Sequence, residues 1–503
     1  MGGRAKIVNV REKMNKKAVF GTAAVVLVAG YGAATWYMGE RAHSAYQQAM
    51  EEMRKVVSPE VLVSESYTQG FWSSQGQLVL QWAPPVVKED GEERPAGAAQ
   101  AVAPPPIRVT VQNTVRHGPL AGWRLAAAVV ETQVTAVEGL DASVREAFAK
   151  VSTPTLTTVR NFTGSHNITL AWPAGELGDG QELVRWQPLV YRMNLNADHS
   201  RMSGDFAWPE ITMNLQPQRE EDDDAPAAPE SQGKRVDVAM QGMTGDFNLQ
   251  LEDGLWLLAP GTGKGKFDKV TVTRAAPGAA AGAAPEPLMA LQDLSYDITI
   301  ARTGAHLGWV TSARGKGSVG PVEMQSLELK ETVSRIDVEA LKLVQKALFD
   351  AYKADPNAQR SPDQAPSSAL LVEAASKFVA ALPAYAMKLS AQVDGEQGEL
   401  EYGAELKTVP DAQKIAQGAW APALLKSSVV HASVRLPKAW LPRLVQATSQ
   451  KAPRPEDIDA MLTMAESQGF LKQEASQVTS VVRMQEGKVV LNGKEINVPF
   501  AQH

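Results

Sequence analysis

Residues 202–215 read MSGDFAWPEITMNL. Met202, Gly204, Phe206 and Trp208 alternate with Ser203, Asp205 and Ala207, and then Ile211, Met213 and Leu215 alternate with Thr212 and Asn214. Period 2 with one polar side is the pattern of antiparallel strands covered on one face only. It recurs at Val236, Val238 and Met240, at Phe247, Leu249 and Leu251, at Leu294, Tyr296, Ile298 and Ile300, and at Leu400, Tyr402, Ala404 and Leu406. Short turn sequences at Asn196-Ala197-Asp198, Thr244-Gly245, Asp253-Gly254 and Asp394-Gly395 join these runs as a meander of hairpins. A last pair, Val478–Gln485 and Lys488–Leu491, meets at Glu486-Gly487.

Helical periodicity is confined mainly to residues 336–472. Val338, Leu341, Val344, Leu348 and Tyr352 share one stripe of 336–353, and 367–382 opens on serine caps and stops at Pro383. Two more helices are expected over 437–449 and 455–472, the second opened by Pro455-Glu456-Asp457. Three stretches, 83–106, 217–234 and 275–287, are rich in Pro, Ala and charge; they are expected to be disordered insertions within hairpin connections.

Ahead of all this, residues 18–38 (AVFGTAAVVLVAGYGAATWYM) carry no charge and follow six Lys/Arg and one Glu. At about 1.5 Å per residue the run makes a helix of roughly 30 Å, the thickness of a bilayer core. The basic residues of 1–17 hold the N-terminus in the cytoplasm and send the remainder across. A cleaved signal peptide is the rival reading, with Gly32-Ala33-Ala34 as a loose site, but Trp36-Tyr37 stand where interfacial aromatics belong in a retained anchor. Met14 also opens a more conventional start, MNKKAVF, which would make residues 1–13 an over-extension of the reading frame. Residues 39–57 lack helix breakers and extend the span as a stalk, leaving 58–503 as the soluble body. The expected fold class is therefore α+β and β-dominated: a transmembrane helix, a large curved antiparallel sheet, and C-terminal helices.

A formal charge of −6 argues against nucleic acid, which needs a basic stripe. The chain has no Cys, which removes disulfides, thiolate metal sites and Cys nucleophiles together.

Three local patterns carry a resemblance. They are Trp36-Tyr37-x-Gly39-Glu40, then Tyr67-x-x-Gly70-Phe71-Trp72-Ser73-Ser74-Gln75 leading into the strand Gln77–Gln81, then Arg116-His117-Gly118-Pro119-Leu120 after Val109–Val115. With the closing Glu486–Ile496 segment, the chain resembles the YdgA-like family of Gram-negative bacteria. That resemblance implies an inner-membrane anchor and a periplasmic body of unknown biochemical function, and it brings no catalytic residues.

No motif names a reaction. His117 without a partner supplies neither a dyad nor a metal set, so a turn role is expected, with His117→Ala costing about 1 kcal/mol. Phe71-Trp72 is expected to turn a corner and plug one end of the sheet. Gly261–Lys266 (GTGKGK) fails the phosphate-loop spacing and is read as a hairpin turn. Glu220–Asp224 lacks the alternate spacing of a calcium loop. No catalytic, cofactor or metal residue is assigned. The apolar sides of the strands need cover from helices, curvature, a second copy or lipid. If lipid, Phe206, Trp208, Phe247, Leu249, Tyr296, Ile298 and Tyr402 line one continuous trough. The leading reading is a non-enzymatic envelope protein, in envelope structure or in handling lipid or hydrophobic molecules. Two alternatives stay open: an envelope hydrolase using paired carboxylates, and a homodimeric scaffold joined through residues 39–57.

Overall fold

The computed structural model describes residues 16–82, 105–178, 182–215, 235–252, 254–274, 285–354, 368–410, 420–449 and 454–496. Residues 1–15 of the expected basic segment 1–17, Glu220–Asp224 and most of the three insertions lie outside these residues. The third insertion is shorter than expected, because Glu286 and Pro287 already belong to a strand.

The chain opens with helix α1 (Lys16–Val56). The first sheet segment is β1 (Leu62–Thr68), β2 (Ser73–Trp82) and β3 (Ile107–His117), then the small hairpin β4 (Leu120–Ala121) and β5 (Arg124–Leu125), then β6 (Ala128–Glu138). After α2 (Ala142–Ala149) come β7 (Thr155–Arg160), β8 (His166–Trp172), β9 (Gly175–Gly178), β10 (Leu183–Trp186) and β11 (Leu189–Leu195). The long strands follow: β12 (Arg201–Leu215), β13 (Val236–Gln250), β14 (Gly261–Arg274), β15 (Glu286–Thr303), β16 (His306–Val319) and β17 (Val322–Asp337). Helices α3 (Val338–Ala354) and α4 (Ser368–Ala380) lead to β18 (Ala384–Val393) and β19 (Glu396–Leu406). The chain closes with α5 (Trp420–Ser427), β20 (Ser428–Pro437), a 3-10 turn (Lys438–Trp440), α6 (Leu441–Ser449), α7 (Pro455–Ser467), β21 (Lys472–Gln473), β22 (Gln477–Gln485), β23 (Lys488–Leu491) and β24 (Lys494–Ile496).

The result is β-dominated: one 22-stranded sheet, antiparallel at every pairing, with few helices. Strands pair almost entirely with sequence neighbours. The main detour is the β9–β10 hairpin, which pairs with the far half of β12 while β11 takes the near half. Alternating direction gives the sheet two edges. The connections 69–72 and 118–127 leave the edge we call near, and those at 83–106, 216–235 and 275–285 all leave the far edge.

Several local expectations need correction. Runs 202–208 and 211–215 are one strand, β12, with Pro209 inside it, and 236–240 and 247–251 belong to β13 and its exit. Thr244-Gly245 is therefore mid-strand, not a turn, and Gly261–Lys266 is the start of β14. The strand 428–437 displaces the expected start of the 437–449 helix, and the 455–472 helix stops at Ser467.

Glycine in strand interiors weakens them, and here it makes room for rings. A Cβ on Gly245 would strike the Phe206 ring and lie 2.8 Å from the Lys264 carbonyl oxygen; one on Gly204 would lie 2.7 Å from Phe247 Cζ. Gly245→Val should cost about 2–4 kcal/mol, since a backbone carbonyl cannot swing aside as a side chain can. A urea titration with an unchanged midpoint would contradict this.

Helices cover the sheet at its ends. The α3 helix starts where Asp337 Oδ1 accepts from the Ala340 N–H at 2.8 Å. Val338 then joins Leu255, Leu307, Val333 and Ile336 in a buried cluster, with Ile300, Trp309 and Tyr385 against it. Ile458 and Leu462 of α7 pack with Val478, Leu436 and Val445 at the last strands. Residues 31–50 of α1 lie against β1–β3 and the loop before β2, with Thr35 and Met50 buried. Side chains of α1 are described from Ala29 onward, and among the described residues no helix is long and apolar enough to cross a membrane.

Candidate functional site

Strand register decides which side chains share a face, because directly paired residues point the same way. One unbroken line of partners starts at Leu156 in β7 and runs through Leu170, Tyr191, Phe206, Gly245, Gly265, Tyr296 and Ala313. It continues through Leu329, Leu389 and Leu400 to Val434 in β20. No charged residue lies on this line, which crosses twelve strands. At about 4.8 Å per strand the line is roughly 50 Å long.

All seven trough candidates sit on that face. Phe206 is on the line itself, Trp208 is two residues along the same strand, and Phe247 and Leu249 pair with Gly204 and Met202. Ile298 pairs with Gly263, and Tyr402 reaches the face through Met387, Glu331 and Thr311. Phe206, Trp208, Phe247, Leu249 and Ile298 are half-buried, whereas Tyr296 and Tyr402 stand 36% and 37% exposed. The rings are ordered against neighbours: Tyr191 stacks on Phe247 at 6.0 Å, and Tyr385 meets Tyr402 at 5.9 Å. From β7 to β15 the described buried apolar side chains are Trp186, Ile211, Leu255 and Ala259, none of which is on the line.

Of the glycine partners, the sequence reading places Gly204 in the apolar phase of its run, whereas it places Gly245, Gly263 and Gly265 in turns. Their signal was present: each occupies an apolar-phase position in a period-2 run. Likewise Leu189, Tyr191, Met193 and Leu195 alternate in β11 and belong to the same face.

The opposite face is charged and paired. Arg192 meets Asp205 at 3.0 Å; Lys388 bridges Glu399 at 3.1 Å and Glu401 at 3.0 Å. The Lys388 hydrogen bond holds the Glu401 carboxyl below its ordinary range, and Lys407 does the same for Glu405. Such carboxylates stay ionised, whereas a general acid needs the reverse shift. A depression beside them, lined by Ser334, Tyr385, Glu405 and His431, is open to solvent. Among the described residues, no three His, Asp or Glu side chains gather as a metal site. His166 and His199 approach to 5.5 Å between ring centres, and burial, then Arg160, lowers the His166 pKa.

The three sequence patterns meet in space, where α1 crosses β1–β3. Tyr31 stacks on Trp72 at 5.7 Å, His43 on Tyr67 at 5.0 Å, and Tyr46 lies 4.6 Å from Tyr67 and over Gly76. Gly39 passes so close to His117 that a Cβ would lie 2.8 Å from Nδ1. His117 is 2% exposed and does have a partner, contrary to expectation. Its Nδ1 lies 3.1 Å from the Phe71 carbonyl, an acceptor, so Nδ1 carries the proton. Nε2 then accepts from the Ser74 hydroxyl at 2.9 Å. Ser74 is itself 1% exposed, which seals this Ser–His pair from any substrate and makes it a clasp for α1. Phe71 and Trp72 do not plug the sheet; they are 48% and 58% exposed.

No curated protein and no solved structure matches the chain. The family described as a bacterial protein of unknown function, DUF945, matches residues 14–499, from just before α1 to just past β24, and the chain belongs to that family.

Proposed function

We propose that this is a non-enzymatic, single-pass inner-membrane protein of the YdgA-like type. Its N-terminus lies in the cytoplasm, its sheet in the periplasm, and its apolar face holds lipid acyl chains. The observation that carries the reading is the uncharged line from Leu156 to Val434, whose large side chains at its centre, Phe206 and Tyr296, are half-buried and 36% exposed respectively. Fully burying each large apolar side chain is worth about 1.5–3 kcal/mol, so a face of this length left to water is a large unfavourable term. The glycines of that face let the sheet bend toward it, making a trough. Its roughly 50 Å exceeds the ~15 Å of one leaflet's chains about threefold. A path along which chains move suits that length better than a pocket for one. On α1, Tyr46 faces Tyr67 and Gly76, and Gly39 faces His117, within the chain.

Native mass spectrometry and solvent extraction of the full chain, purified in detergent, test this. Phospholipid should remain bound through delipidating washes. Protein that emerges free of lipid, with its sheet intact, would end the reading and leave a protein-binding scaffold in its place.

A further inference from the structure

The near edge carries two features that water disfavours. The β4–β5 hairpin turns through Gly122 (φ 56°) and Trp123 (φ 68°), the left-handed pair of a type I′ turn. Glycine adopts that conformation freely, whereas a bulky side chain does so against its steric preference. Trp123 is held there with 94% of its surface exposed, and Leu125 beside it is 76% exposed. The Phe71-Trp72 loop on the same edge is the second feature.

Both lie against α1 where its uncharged run ends. The hairpin springs from Gly118, where a Cβ would lie 2.7 Å from Met38 Sδ, and the loop meets α1 at Tyr31. Seven residues separate Tyr31 from Met38, about 10 Å of helix, which matches the depth of groups seated at a headgroup boundary. Trp and Tyr favour that boundary, and Trp36 and Tyr37 of the same helix are more than half exposed.

We infer that the Trp123 hairpin and the Phe71-Trp72 loop insert into the lipid headgroup region beside α1, a second membrane contact that seats the near edge of the sheet on the bilayer. This rests on the anchored reading of α1. It gives the trough a fixed attitude, with one edge in contact with the lipid it would take up.

The absence of cysteine permits a clean test. Leu125→Cys and, as control, Asn248→Cys on the polar face are labelled with a polarity-sensitive fluorophore. The full-length chain is then reconstituted in phosphatidylcholine–phosphatidylglycerol vesicles. The label at 125 should be several-fold brighter and blue-shifted relative to the label at 248 in the same vesicles, and lipids with nitroxide on the upper acyl chain should quench it but not the label at 248. Circular dichroism confirms that both variants keep the sheet. If alkaline carbonate leaves the protein in the vesicles while the 125 label stays dim and unquenched, the hairpin faces water or another protein and this inference fails alone. If carbonate strips the protein from the vesicles, the anchor and the inference fall together.

Discussion

Replacing Phe247 and Ile298 together by aspartate should strip bound lipid from the protein while leaving its sheet folded. The two side chains share one line of partners, Phe247–Gly263–Ile298, on the apolar face, and both are half-buried. Two carboxylates there would meet any acyl chain along the path, and desolvating an unpaired carboxylate costs several kcal/mol. In the free protein the same positions are only half-buried, so the carboxylates keep water. The loss to the sheet is then mainly strand propensity and partial burial, on the order of 1–2 kcal/mol per site. The matched control is Asp246→Asn with Thr299→Asn on the opposite face, which should retain lipid. Lipid retained by the double aspartate variant would mean that the molecule rides elsewhere.

His117→Ala should cost about 2–4 kcal/mol, more than the ~1 kcal/mol expected of a turn residue. Removing the imidazole leaves the buried Ser74 hydroxyl and the Phe71 carbonyl unsatisfied, each worth about 1–3 kcal/mol, and opens a gap under Gly39 of α1. Ser74→Ala should cost less, because it leaves one buried group, His117 Nε2, without a partner and opens a smaller gap. The measurement is the urea midpoint of the full chain, together with proteolysis within residues 40–55, which should accelerate as α1 lifts. An unchanged midpoint with lost lipid binding would instead give His117 a direct part in function.

Legibility in the sequence followed the range of the interactions. Period 2 is a local property, so Phe206, Phe247 and Tyr296 could be assigned to strands and to one phase without knowing their partners. Long strands were split at Pro209 and Gly245 because proline and glycine usually punctuate. Here Pro209 sits where β12 changes partner from β11 to β10, and Gly245 lies beneath the Phe206 ring. The clasp was invisible for a different reason. Its contacts join residues 31–46 to 67–118, and nothing local to His117 says that a helix glycine will lie on its ring. The sequence patterns that carried the family resemblance are the parts of that clasp, read before their meeting point was known.

The almost strictly sequential pairing of the strands bears on how such a chain is made. A sheet whose every new strand adds to the one before it needs no distant partner to arrive. If α1 is the proposed anchor, the segments after it would cross in chain order, and β1 to β3 could form against α1 before the later strands emerged. Each later strand would then find a waiting edge on emergence. Folding in order of export would keep the growing edge occupied, and few segments would wait unpaired in a compartment without ATP-driven chaperones.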